Sequence, residues 1–163
     1  MKQYLTRRII LRTLAAIFIV IQFFRPAKNE GEAFGPNDIT KSVAVSEEIK
    51  NIIVTSCYDC HSNHTNHMWY EGFQPIGWWI ANHINEGKRE LNFSEFNDYK
   101  DKRKAHKFEE IGEMVSEGEM PMSSYTLIHG NAKLNEEQKR LLINWAMIGQ
   151  HQYENPEHEE ESH

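Results

Sequence analysis

The chain has 163 residues and a formal net charge of −6, which allows one modest domain with appendages. The charge is unevenly spread, because residues 1–28 hold six basic side chains and no acidic one. The remainder is strongly acidic, which argues against nucleic-acid binding, since that function needs a basic surface to neutralise phosphates. The chain has two cysteines, and at three positions apart they are too close to build a disulfide framework.

The first 25 residues are predicted to form a signal anchor. Residues 9–24 are apolar apart from three positions, with an uninterrupted core at 14–21. A membrane span needs about 20 apolar residues and a signal-peptide core about 7–15, and the flank after the core lacks the small residues that cleavage requires. Basic residues stay on the cytoplasmic side. We therefore expect an uncleaved transmembrane helix that places the body on the periplasmic side of the cell membrane. A cleaved signal peptide and a buried amphipathic helix are the alternatives.

Two segments are predicted to lack regular structure. Residues 26–45 combine proline, glycine and asparagine with little periodicity, which is typical of a linker. Residues 150–163 are rich in glutamate and histidine, which indicates a disordered acidic tail. The folded domain is therefore expected between residues 46 and 149.

A helix is predicted to begin at Ser46, whose side chain can cap the first turn. Ile49, Ile52 and Ile53 follow at the spacing of one helical face. That face continues to Cys57, so the apolar stripe leads directly into the cysteine pair.

Both cysteines lie in the run Cys57-Tyr58-Asp59-Cys60-His61, which has the form C-x-x-C-H. On a helix, Cys57, Cys60 and His61 occupy positions i, i+3 and i+4 and project from one face. This spacing is typical of c-type haem attachment, in which two thiols bond the haem vinyl groups and the histidine ligates the iron. We therefore expect Cys57 and Cys60 to hold one haem covalently, with His61 as its proximal ligand.

Two other chemistries also use closely spaced cysteines. A zinc site could draw on Cys57, Cys60, His61, His64 and His67, but structural zinc sites usually pair two distant dyads and the sequence has no second dyad. A thiol–disulfide oxidoreductase would carry its C-x-x-C after a strand in a βαβ unit, whereas the flanks here have helical periodicity. Both are kept as alternatives to haem.

Three or four further helices are predicted after the motif. One begins near Pro75 and stops at Gly87, and Ser94 is the predicted cap of another; the charged run 100–107 is interpreted as a solvated face or a turn between helices. The helical period resumes at Phe108 and ends at Gly118, and the last helix runs from a cap at Asn135 to Gly149. The sequence shows no alternation of apolar and polar residues of the kind that indicates a strand. The predicted fold is all-α, with four to five helices in the domain.

Met120 is the predicted sixth ligand of the iron. Pro121 follows it and takes the backbone out of helix, so the methionine can be presented from a loop. It lies 59 residues after His61, which is enough chain to pass round a haem. Met122 is a near alternative, and His83, on the apolar face of its helix, is the main competitor. An empty sixth position would instead indicate binding of gases or peroxide.

The sequence resembles the small, membrane-anchored haem-binding domain proteins of bacteria, which are relatives of class I cytochromes c. Besides the C-x-x-C-H run, the matching residues extend over most of positions 46–149 and include the exit from the N-terminal apolar stretch. They are Gln22-Phe23-Phe24-Arg25-Pro26, Ser62, Asn63, Thr65, Trp69-Tyr70, Pro75, Trp79, His83-Ile84, Gly87, Leu91-Asn92-Phe93-Ser94, Met120-Pro121, Tyr125, His129 and Trp145.

The resemblance implies a cytochrome c-like bundle around one haem, in which the first helix (46–57) packs against the last (135–148). The expected function is one-electron transfer outside the cytoplasm by haem c, with His61 and Met120 as axial ligands, in a protein that is not an enzyme. Redox proteins and, through the anchor, the membrane are the expected partners. A haem-based sensor or peroxidase-like protein with an open sixth position is the alternative.

Overall fold

The computed structural model describes residues 2–155, with side chains from residue 6 onward. The α-helices of this range are α1 (Lys2–Ile21), α2 (Glu47–Ser56), α3 (Tyr58–His61), α4 (Ile76–Glu90), α5 (Asp101–Glu117), α6 (Ser123–Thr126) and α7 (Glu136–Glu154). Short 3-10 helices lie between them at Ile39–Lys41, Trp69–Gly72, Phe93–Asp98 and Gly130–Ala132. Over these residues the β-type pairing is limited to an isolated bridge between Glu30 and His64. The prediction of an all-α fold is therefore confirmed.

Helices α5 and α7 form the centre of the core. They run antiparallel, with contacts between Lys104 and Tyr153, Phe108 and Gly149, and Gly112 and Ala146. The buried Phe108 ring meets the Trp145 ring edge-on, with centroids 5.2 Å apart. A side chain at Gly149 would come within 2.7 Å of the Phe108 ring, so this glycine permits the close approach. The prediction that α7 stops at Gly149 is wrong, since the helix continues to Glu154. This glycine serves close packing rather than a helix end. Residues 150–154 thus belong to the helix and Asn155 caps its end, while residues 156–163 of the predicted tail lie outside the described residues.

Helix α2 packs against α7, which confirms the expected pairing of the first and last helices of the domain. Ser46 caps α2, because its hydroxyl accepts a hydrogen bond of 3.2 Å from the Ile49 backbone N–H. Ile52 and Ile53 are buried in one apolar cluster with Trp145. Burying a side chain of this size stabilises a fold by about 1.5–3 kcal/mol. This packing holds the end of α2, where the cysteine run begins, firmly against the core.

Residues 26–45, predicted as a linker, are packed into the domain. Ile39 is fully buried, and so is Asp38, whose two carboxylate oxygens lie 3.0 and 2.9 Å from the Tyr58 hydroxyl that donates to them. The Gly31 backbone N–H donates to the Asn63 carbonyl at 2.7 Å. The turn-rich composition suggested a linker, but the few apolar residues of this segment complete the core beside the cysteine run.

Helix α1 covers most of the predicted anchor, but the prediction of a membrane-spanning helix is wrong. Across the described residues, every helix falls short of the length and apolar character needed to cross a membrane. In α1, Arg7, Arg8 and Arg12 confine the uncharged stretch to residues 13–21. At 1.5 Å per residue that stretch is about 14 Å long, against a hydrocarbon core of about 30 Å. The predicted single-pass location, with the body on the periplasmic side of the cell membrane, is corrected accordingly.

Candidate functional site

The two cysteines and His61 lie on a single tight turn. Helix α2 ends at Ser56, and at Cys57 the chain bends into the short helix α3. The Cys57 carbonyl accepts hydrogen bonds from the backbone N–H groups of Cys60 and His61, at 3.2 and 3.0 Å. Both thiols are free and half-buried. The structure therefore brings Cys57, Cys60 and His61 together as their spacing predicts, and we call residues 57–61 the attachment turn.

Helix α4 lies directly against the attachment turn at Gly87. A side chain at Gly87 would come within 2.7 Å of the Cys60 carbonyl oxygen. The prediction that this glycine ends its helix is wrong, since α4 continues to Glu90. Glycine occurs here because only a hydrogen atom fits between the two backbones. In sequence, a glycine at this point of a helical pattern is also typical of a helix end.

His61 is oriented by the residue that follows α4. Its Nδ1–H donates to the Leu91 carbonyl at 3.0 Å, and its ring lies 5.8 Å from the Phe93 ring. Burial lowers the pKa of His61, although carbonyl groups of Leu91 and Gly87 act in the opposite direction. Because a carbonyl oxygen can only accept, the neutral imidazole carries its proton on Nδ1. Its Nε2 then has a lone pair for a metal, as in metal-binding histidines whose other nitrogen donates to a carbonyl.

A cleft opens beside Cys60, between α4 and the segment 120–129. Two of the residues that line it, Trp79 and Ile128, are 50 % and 61 % exposed, which are high values for large apolar side chains. A flat apolar group attached to Cys60 would cover them. The cleft is lined by Asp59, Cys60, Thr65, Asn66, Tyr70, Glu71, Trp79, Ile80, His83, Ile84, Met122, Ser124, Tyr125, Ile128 and His129.

The family model of the haem-binding domain matches residues 16–147 of the chain. This chain belongs to the haem-binding domain family. No curated protein and no solved structure matches it. The match supports haem as the cofactor of this domain. The attachment turn and the apolar cleft beside Cys60 fit it, although Cys57 and His61 are not among the residues that line this cleft.

The surroundings of the two cysteines do not favour the alternatives, a thiol–disulfide oxidoreductase and a zinc site. Burial raises the pKa of Cys57 to about 12, and burial together with the Asp59 and Glu71 carboxylates raises the pKa of Cys60 to about 11. A thiol–disulfide oxidoreductase needs a lowered thiol pKa. For zinc, the described residues include no group of three or more His, Cys, Asp or Glu side chains placed to hold a metal ion. His64 and His67 are therefore not assembled with the cysteines.

The candidates for the sixth ligand lie in different places. His83 and Met122 line the cleft with Cys60, whereas Met120 lines a separate groove with Leu127 and Leu134. His83 Nδ1 donates to the Trp79 carbonyl at 2.8 Å, which leaves Nε2 as its free nitrogen. The structure brings His83 and Met122 to the attachment turn and does not bring Met120 there.

A network of polar side chains joins the attachment turn to the segment 120–129. The Tyr125 hydroxyl donates to Asp59 Oδ2 at 2.7 Å, and the Tyr70 hydroxyl is hydrogen-bonded to His129 Nε2, also at 2.7 Å. The Tyr125 and His129 rings are stacked with centroids 4.2 Å apart. The sequence does not predict this network, because the members of each hydrogen-bonded pair are about 60 residues apart and no local pattern links them.

Proposed function

We propose that this haem-binding domain attaches one haem c covalently and serves as a one-electron carrier rather than as an enzyme. The observation that carries the proposal is the hydrogen bond from His61 Nδ1 to the Leu91 carbonyl. It fixes the tautomer in which Nε2 can accept a metal, beside two free thiols, as in metal-binding histidines. The family match independently supports haem as the group bound.

The chain's own residues would hold the haem as follows. The Cys57 and Cys60 thiols would form thioethers with the two vinyl groups, and His61 Nε2 would ligate the iron. Trp79 and Ile128 would cover the macrocycle and limit the access of water. When bound, the haem supplies the one-electron chemistry of its iron, and the protein sets its potential and exposure. Other redox proteins would be its partners.

We propose that a methionine from the turn at residues 120–122 provides the sixth ligand. Met120 is the sequence prediction, while Met122 has the support of lining the cleft with Cys60. A thioether ligand favours reduced iron and raises the potential. His83 is the second candidate, because it lines the same cleft with its Nε2 free.

The position of Met120 in a separate groove favours a second candidate function. If neither methionine nor His83 ligates the iron, the protein would be a haem-based sensor or a peroxidase-like protein with an open sixth position. Such a protein would show high-spin ferric iron that binds cyanide or peroxide readily.

The covalent bond is tested by producing the full chain together with a cytochrome c maturation system and staining the denatured protein for haem. We expect one haem per chain, reduced attachment in Cys57→Ala and in Cys60→Ala, and none in the double variant. Haem that dissociates on denaturation from the unaltered protein would contradict covalent attachment.

Absorption spectra then identify the sixth ligand. A low-spin spectrum with a sulfur-to-iron charge-transfer band should lose that band in either Met120→Ala or Met122→Ala, and the variant that loses it identifies the ligand. Loss of a bis-histidine spectrum in His83→Ala would instead assign the position to His83. A high-spin ferric spectrum in the unaltered protein would favour the open-site function.

A further inference from the structure

The segment 120–129, which carries both candidate methionines, has little apolar burial of its own. Leu127 is 85 % exposed and Ile128 61 % exposed. One backbone hydrogen bond, from the Met120 N–H to the Met114 carbonyl at 3.1 Å, ties the start of the segment to α5. Its other backbone bonds are local, such as that from Thr126 N–H to the Met122 carbonyl at 3.0 Å. Local bonds shape the segment but do not fasten it to the rest of the domain. Side-chain contacts to the body therefore decide how firmly it is held.

The attachment turn provides such a contact through the second of its two variable residues, Asp59. Asp59 Oδ1 accepts hydrogen bonds from the backbone and side-chain nitrogens of Asn66, both at 3.0 Å. Its backbone carbonyl accepts another from the Thr65 hydroxyl at 2.6 Å. These bonds orient the carboxylate, and Oδ2 is the oxygen that accepts from Tyr125.

The Tyr125 hydroxyl is the donor in this bond, since the carboxylate can only accept. Burial, together with the hydrogen bond to Asp59 and the charge of that carboxylate, raises the pKa of Tyr125. A hydrogen bond from a phenol to a carboxylate is charge-assisted and stronger than one between neutral groups. The stacked His129 ring and its bond to Tyr70 hold the same part of the segment from a second side.

We infer that the Asp59–Tyr125 hydrogen bond holds the methionine-bearing segment against the attachment turn and controls how readily an outside ligand reaches the iron. Tyr125 is thus a positioning residue, and Asp59 links the place where haem is attached to the segment that faces it. The part of this inference that concerns the iron rests on the proposed function. The part that concerns the segment does not.

The segment is tested first by amide hydrogen exchange on the full chain. Tyr125→Phe removes the hydroxyl and keeps the ring, and we expect exchange at residues 122–129 to quicken about tenfold, since a hydrogen bond to a charged group contributes roughly that factor to an equilibrium constant. Tyr153→Phe is the matched control, because the Tyr153 hydroxyl bonds to the Ser42 carbonyl at 3.0 Å, away from the cleft. Unchanged exchange at 122–129 in Tyr125→Phe would overturn the inference.

Imidazole binding to the ferric, haem-loaded protein tests the control of access. We expect the apparent affinity for imidazole to rise about tenfold in Tyr125→Phe and in Asp59→Ala, and to stay unchanged in Tyr153→Phe. In the double variant of Asp59 and Tyr125 the two effects should not add, because both substitutions remove the same bond. Faster exchange with an unchanged affinity for imidazole would overturn the role in access. Failure to attach haem would count against the proposed function, and the exchange measurement would still decide whether the bond holds the segment.

Discussion

Two parts of the domain differ in what their aromatic side chains contact. One part is built from α2, α5 and α7, and the other from α4 and the segment 120–129. Phe108 and Trp145 are 0 % and 2 % exposed and pack against each other. Trp79 of α4 is 50 % exposed and lines the cleft beside Cys60. The first part completes its own apolar core, whereas the second presents aromatic surface that a bound haem would cover. Folding and cofactor binding are therefore carried by different residues of one domain.

The largest effect is expected from Trp145→Ala in the core. Removing a fully buried tryptophan should lower the free energy of unfolding by about 3–5 kcal/mol, measured by urea unfolding. The loss should be the same in haem-free and haem-loaded protein, because Trp145 packs against Phe108 rather than in the cleft. A clearly smaller loss in the loaded protein would break the distinction between the two parts.

Gly87→Ala tests the border between the two parts. The added methyl group would meet the Cys60 carbonyl oxygen at 2.7 Å, and crowding of this kind costs about 1–3 kcal/mol. We expect lower stability by urea unfolding and less haem attached per chain. Gly112→Ala is the control, since its methyl group would lie 3.7 Å from Ala146 and should stabilise α5 by up to about 1 kcal/mol. Equal effects of the two substitutions would contradict the close approach of α4 and the attachment turn.

The pH dependence of stability reports on His61. Burial lowers its pKa in the folded, haem-free protein, so below about pH 6.5 the unfolded chain binds more protons than the folded chain. Stability should therefore fall as the pH drops through this region, until the folded-state pKa is passed. One proton contributes a slope of at most about 1.4 kcal/mol per pH unit. His61→Gln should reduce the measured slope between pH 5 and 7.5, and an unchanged slope would show that His61 does not contribute.

The smallest effect on folding is expected from Trp79→Ala. Because Trp79 is half-exposed, its removal should change the unfolding free energy of the haem-free protein by about 0.5 kcal/mol or less. In the haem-loaded protein the same substitution should cost more, and it should increase solvent access to the haem, measured by the shift of its absorption spectrum. Equal costs in the two forms would contradict the assignment of the cleft to the haem.

Signals that act within one helical turn were sufficient to predict parts of the fold. Ser46 caps α2 and Asn135 caps α7, as their positions predict. The Gln138 side chain completes the second cap by bonding back to the Asn135 backbone. Glycines were ambiguous in sequence, because a helix end and a close helix contact both select for them. Gly118 does end α5, with a φ of 75°, whereas Gly87 and Gly149 lie inside helices and permit close packing.

Predictions that depended on composition were less reliable. Residues 26–45 resemble a linker in composition, yet Asp38 and Ile39 are fully buried, and Asp38 accepts hydrogen bonds from Tyr58 of the attachment turn. Composition does not show which few side chains of a segment enter the core. The composition of the apolar stretch near the N-terminus predicts a membrane span, but the arginines of α1 leave it too short.

The sequence by itself determined the attachment turn, because the spacing of Cys57, Cys60 and His61 is set by the covalent chain and by the geometry of one helical turn. Tertiary structure decided what surrounds that turn. It brings the Leu91 carbonyl to His61, places His83 and Met122 rather than Met120 beside Cys60, and joins Asp59 to Tyr125. These contacts span 23 to 66 residues, and they follow from how α4 and the 120–129 segment pack on the core, which no local pattern encodes.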